Sequence, residues 1–152
     1  MLFYRVAASN PERVFVLAKN SIGDSVSNGY WVRWDYSTDQ NGISFEKPAA
    51  KPAPDTAGVG HGISIAGVVA HTITDGSYGL IQVYGFHPAA RVKSDGTDIA
   101  KGTALGAGGN VYYALPVEVT GTNANAYPIG FSFEVYTQSG TSTTKKVFVK
   151  CL

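Results

Sequence analysis

The sequence predicts an all-β domain, and three observations carry that prediction. Apolar residues recur with a period of two almost throughout, and no segment sustains a 3.6-residue apolar pattern. Glycine (18) and proline (7) fall between the alternating runs as punctuation. The runs are short and bounded by turn signals, the pattern of a β-sandwich or a small β-barrel, and nothing in the sequence chooses between the two. At 152 residues the chain has length for one good core and is short for two, so residues 1–152 read as a single domain.

The elements follow in order. "ERVFVLA" (12–18) is a short strand. "YWVRWDY" (30–36) alternates, with Tyr30, Val32, Trp34 and Tyr36 on one face and Trp31, Arg33 and Asp35 on the other. After "STDQNG", whose Asn41-Gly42 pair signals a tight turn, comes "ISFEK" (43–47). "KPAAKPAPDTAGVGHG" (47–62) is rich in Pro and Gly and reads as an extended loop or arm. "VYYALPVEV" (111–119) is expected to turn Val111, Tyr113, Leu115, Val117 and Val119 inward, with Pro116 marking an edge or a bulge. "IGFSFEVYT" (129–137) is expected to do the same with Ile129, Phe131, Phe133 and Val135. "KKVFVKCL" (145–152) closes the chain and puts Cys151 on the face of Val147 and Val149, the setting of a buried, inert thiol.

The stretch "GSYGLIQVYGFH" (76–87) poses a question. As a strand it sets Leu80, Gln82, Tyr84 and Phe86 on one face and Ile81, Val83, Gly85 and His87 on the other. Neither set resembles a face that meets water. One face is expected to pack on the domain's own core, and the other on a second sheet or another subunit.

Charge is scarce: 15% of residues, where soluble domains average about 25%. From Pro52 to Ala90 only Asp55 and Asp75 are charged, and from Gly102 to Thr144 only Glu118 and Glu134. Such segments fit either surface held against another protein or a core whose polar cover is Ser, Thr and Asn. The net charge of +1 leaves no electrostatic footprint for nucleic acid or an anionic membrane. No run of about 18 apolar residues is present, and the N-terminus lacks the layout of a secretory signal. One cysteine allows no internal disulfide.

Motifs with possible chemistry are weak. "GDSV" (23–26) places Ser25 in a Gly-Asp-Ser context, yet no histidine follows His87 to serve as its base, and a turn residue is the better reading. "GVGHG" (58–62) and "GAGGN" (106–110) lack the strand-to-helix context of a dinucleotide loop. His61, His71 and His87 have no metal-ligand spacing. Neither a cofactor nor a metal is expected. Trp31, on the more polar face of its strand, is the best candidate for an exposed sugar-stacking ring, although most aromatics alternate into expected core positions. In "SDGTDIAKGTAL" (94–105), Asp95-Gly96 and Lys101-Gly102 turn the chain while Ile99 and Leu105 point inward. That motif informs fold and not chemistry.

Four blocks taken together resemble a known family: "NPERVFVLAKNS" (10–21), "GYWVRWDYSTDQNGISFEKP" (29–48), "AGVVAHTITDGSYGLIQVYG" (66–85) and "RVKSDGTDIAKGTAL" (91–105). In this order they look like the small all-β head decoration, or cement, proteins of tailed bacteriophages, over the first two-thirds of the chain. The resemblance implies a structural protein on the outer surface of the capsid that binds the major capsid protein as a homo-oligomer, a trimer favoured over a dimer. It implies no catalysis, cofactor, nucleic acid or membrane. An alternative is a β-sandwich binding module, for instance for glycans, on a virion, tail or neck. The expected contact segments are Met1, Leu2, Phe3 and Tyr4 at a mobile N-terminus, and Lys51, Pro52, Pro54, Val59 and His61 in the Pro/Gly arm.

Overall fold

The computed structural model describes residues 2–4, 12–39, 41–48, 64–94, 96, 98–108, 111–117, 127–137 and 140–152. Within them lie ten strands: β1 (Leu2–Tyr4), β2 (Arg13–Asn20), β3 (Trp31–Trp34), β4 (Ser44–Glu46), β5 (Ile65–Val69), β6 (Tyr78–Val92), β7 (Ala104–Ala107), β8 (Ala114–Pro116), β9 (Gly130–Ser132) and β10 (Thr143–Lys150). The fold is all-β, as the sequence predicts. Among the described residues there is no α-helix.

The pairings resolve the choice between sandwich and barrel in an unexpected way. β2 pairs with β4, β4 with β3, β3 with β5, β5 with β6, and β6 returns to β2. That is one closed five-strand ring. β6 also pairs with β10, β10 with β9, β9 with β7, β7 with β8, and β8 returns to β6. That is a second. The rings share β6, whose 15 residues extend roughly 50 Å. Its first half runs between β2 and β5, and its second half between β10 and β8.

A strand that serves two barrels must turn its inward side between them, and β6 does this with bulges. Opposite β2 the register shifts between Val14 and Phe15; opposite β10 it shifts between Lys145 and Val147, where Pro88 sits. Each extra residue re-aims the strand. Ile81 therefore points into the first core, whereas Ala90 and Val92, of opposite parity, point into the second. At the bend the buried amide of Gln82 donates to the carbonyl region of Tyr84, Gly85 and Phe86, with Nε2 3.0–3.3 Å from the three oxygens. It satisfies backbone acceptors where the flanking strands change.

Length alone argued for one core, and the described residues build two. β5 makes this economical, because it is buried on both sides and acts as the wall between them. Ile65 and Val68 face the second core; Ala66 and Val69 face the first. Residues three apart share a side because a register shift between Val32 and Arg33 leaves Ala66 as an extra residue, next to Gly67, whose φ is +148°. Trp31 and Val32 of β3 divide between the cores in the same manner. The bridges Val26–Ile73 and Ile99–Tyr136 lie outside the strands, one with its residues in each core.

Several sequence expectations hold. β3 and β4 form the hairpin marked by Asn41-Gly42, with Gly42 at φ +67°. Ile99 and Leu105 are both fully buried, and β8 ends at Pro116. Two others have the wrong phase. In 111–117 the buried residue is Ala114, while Val111, Tyr113, Leu115 and Val117 are only half-buried. The reason is pairing: Ala114 lies opposite Val92 where β8 closes the second ring. In 129–137, Ile129 is buried as expected, but Ser132 and Tyr136 take the inner positions, with Phe131 half-buried and Phe133 and Val135 exposed. Those phenylalanines belong to an aromatic face on the outside of the barrel.

Candidate functional site

The outer face of β2, β6, β10 and β9 is the candidate site, and it answers what covers "GSYGLIQVYGFH". The odd-numbered residues Ile81, Val83, Gly85 and His87 are buried inside. Of the even-numbered residues, Gln82 is buried, whereas Tyr84 and Phe86 point outward into a neighbouring set of apolar side chains. Phe148 of β10 lies opposite both Phe86 of β6 and Phe131 of β9, so all three rings project from one side of the sheet. Phe131 and Phe148 stack at 5.1 Å and 8°. Tyr84 meets Phe148 edge-on at 5.0 Å, and Phe133 approaches Phe131 at 5.2 Å and Phe86 at 5.8 Å. Further along, Leu17 of β2 lies opposite Leu80 of β6.

The rings are half-buried mainly against one another, and the edges of the face are open. Phe133 is 41% exposed, Leu17 62% and Tyr78 57%. Contiguous apolar surface of this kind on a small protein marks a place of contact with something else. Its ionic rim is mostly cationic. The Arg13 guanidinium lies 5.8 Å from the Phe86 ring centre; Lys150 stands opposite Tyr84, and Lys19 opposite Tyr78. Lys146 is paired with Glu134 at 3.2 Å, on the far side near Phe133.

His87 lies behind this face. Ala89 N–H donates to its Nδ1 at 3.1 Å. Burial first, and then the Arg13 charge, hold its pKa down at about 4, so the ring is neutral at pH 7. Cys151 packs against the second core as expected, with burial pushing its thiol up to about 12.

A second aromatic group stitches the chain together internally. Tyr30 stacks on Tyr112 at 4.7 Å, with Arg91 over the first ring and Lys47 over the second. Trp31 beside it is wholly buried in the second core, and its indole N–H donates to Arg91 O at 2.9 Å. The expectation of an exposed, sugar-stacking Trp31 is therefore overturned. Arg33 and Asp35 made its face look polar, but the start of β3 lies on the wall between the cores. The companion expectation that most Tyr and Trp are core residues also fails: only Trp31 and Tyr136 are buried among those described.

The other polar groups have structural roles. Asp35 accepts from Ser21, Ser37 and both the N–H and Oγ1 of Thr38, which hold its carboxyl down at about 2. Arg33 and Glu46 pair across β3 and β4 at 2.7 Å. Ser25 is exposed just ahead of the Val26 bridge. Among the described residues no three His, Cys, Asp or Glu side chains gather as metal ligands would.

Of the contact segments expected from the sequence, one borders this face. Leu2, Phe3 and Tyr4 form β1, paired with β2 through Phe15, Val14 and Arg13, where a mobile arm was expected. Met1, Lys51, Pro52, Pro54, Val59 and His61 lie outside the described residues. The outer aromatic face was missed because sequence alternation assigns large apolar residues to the core. The one available signal was "GSYGLIQVYGFH" itself, with both faces apolar.

No family model and no curated protein matches the chain. Among solved structures, the crystal structure of the head fiber gp8.5 N base in bacteriophage phi29 is similar over 91% of this chain and 95% of that one. The TM-score is 0.46 and the identity 17%. A likeness of that degree assigns this chain neither a family nor a role.

Proposed function

We propose that this chain is a structural protein of a tailed-phage virion, a decoration or cement protein on the outer surface of the head. It docks through the outer β2–β6–β10–β9 face onto the major capsid protein and reinforces contacts between neighbouring capsid subunits. The observation that carries the docking role is the aromatic row of Tyr84, Phe86, Phe131, Phe133 and Phe148 on the exterior of a closed barrel. The assignment to a phage head rests on the four sequence blocks described above and on the low charge of the chain.

The work of such a protein is burial of apolar surface, worth roughly 25 cal/mol per Å² before the costs of association. An interface of ordinary size takes roughly 800 Å² from each partner. Many modest contacts repeated over a shell add up through multivalency. A homo-oligomer, a trimer in preference to a dimer, would bring several such faces onto adjacent capsid subunits together.

The test is the copy number of this chain relative to the major capsid protein in purified virions, by quantitative mass spectrometry. A ratio of one, or a simple fraction of it, is the expected result. A handful of copies moves the chain to the tail or neck, and absence from the virion sinks the proposal.

A further inference from the structure

We infer that the occupant of the outer face is a different protein's surface with an apolar centre and a carboxylate rim, and not a second copy of this chain. The inference rests on the docking role proposed above and specifies its partner. The argument is charge complementarity. Arg13, Lys19 and Lys150 stand on or beside the face, and no carboxylate pairs with any of them among the described residues. Of the carboxylates near the face, Glu134 is already paired with Lys146, and Glu12 precedes β2. At the Lys19 end, Asp39 accepts from the N–H groups of Ile43 and Ser44, and Asp75 from that of Gly23.

A cation beside an apolar surface is costly to cover unless the incoming partner supplies the opposite charge. Arg13 makes this acute, because its guanidinium lies over the Phe86 ring, where any partner resting on the aromatics also reaches it. Two copies joined face to face about a two-fold axis set this cationic rim against itself. Carboxylates around an apolar centre relieve the same charges, and their attraction also orients the approach. Self-association of the chain must then use other surface.

The test compares four proteins: wild type, the double variant Arg13→Glu/Lys150→Glu, Phe133→Ser, and Lys101→Glu, which alters charge on an exposed turn in the second ring. Thermal unfolding confirms that each is folded. The first probe is the dye 1-anilinonaphthalene-8-sulfonate, an aromatic anion, set against uncharged N-phenyl-1-naphthylamine. The double variant is expected to weaken binding of the anionic dye roughly fivefold and leave the neutral dye unchanged, and Phe133→Ser to weaken both.

The second probe is co-sedimentation with heads lacking the protein. Here the double variant is expected to bind roughly tenfold more weakly at about 0.1 M salt. The gap should shrink near 1 M, where the screening length falls from about 10 Å to about 3 Å. A double variant indistinguishable from Lys101→Glu with the charged dye overturns the inference. So does wild-type self-association in sedimentation that Phe133→Ser abolishes, since the occupant is then a second copy. Heads that bind no wild-type protein overturn the virion reading instead, and the dye comparison still decides the chemistry of the face.

Discussion

Gly85 sits where β6 passes from one ring to the other, opposite Arg13 of β2 on one side and Val149 of β10 on the other. Its φ is +99°, a conformation that side chains other than hydrogen rarely adopt. A Cβ there would fall inside van der Waals contact of the Glu12 carbonyl oxygen, 3.0 Å from its carbon and 3.1 Å from Arg13 Cα. All three atoms are backbone, so no side chain can swing aside. Gly85→Ala must therefore carry the strain of a positive φ, about 1–2 kcal/mol, and also push the start of β2 off β6. Losing the pairing at Arg13 and Val14 adds about 0.5–1.5 kcal/mol for each hydrogen bond. The expected total is about 3–4 kcal/mol, a large share of the 5–15 kcal/mol typical of a domain. Gly42→Ala is the control, because Gly42 also has positive φ (+67°) but open space around its Cβ position. Urea unfolding followed by tryptophan fluorescence gives both values. If Gly85→Ala costs no more than Gly42→Ala, the close approach at the crossing is not real and the shared-strand geometry is wrong.

Two further outcomes are expected. His87 has its folded-state pKa lowered from 6.5 to about 4, so the unfolded chain binds the extra proton between those values. Stability from this group is fully present above pH 6.5 and is lost as pH falls toward 4, by roughly 3 kcal/mol in all; His87→Leu should flatten that slope in denaturant midpoints measured across the window. The Cys151 thiol, raised to about 12 by burial, should resist alkylation by iodoacetamide at pH 8 in the native protein and react once unfolded, followed by mass spectrometry.

The sequence was legible where the inward residues of a strand are themselves apolar and keep one parity along it. β2 forms where the short strand was expected, and β10 turns Val147 and Val149 inward on the face the sequence shares with Cys151. The hairpin at Asn41-Gly42 and the turn at Lys101-Gly102 followed from their turn chemistry. Legibility failed where a second apolar environment exists. On β9 and the residues after it, the large side chains Phe131 and Phe133 go out and Ser132 goes in, because the exterior is aromatic. On β3, Trp31 keeps company with Arg33 and Asp35 along its face yet enters the second core. Bulges at Ala66 and in β6 shift the parity mid-strand, and a period-two reading has no means of locating them. Of the candidate site, only the apolarity of both β6 faces was visible, since neighbours such as Phe131 and Phe148 meet it from 45 and more residues away in the chain.

The shared strand also sets an order of assembly. Every strand of the first ring lies within residues 13–92, whereas the second needs β10, whose pairing begins at Thr143 and ends at Lys150. During synthesis the first barrel is complete while the far half of β6 still lacks both its strand partners, β8 and β10, and is held through Arg91 by Gly29 and Trp31. That half, from Phe86 to Val92, is an open template for another chain until the last strand emerges. A nascent or truncated chain ending before β10 carries that exposed edge permanently, so aggregation of premature fragments follows from the same strand that unites the finished protein.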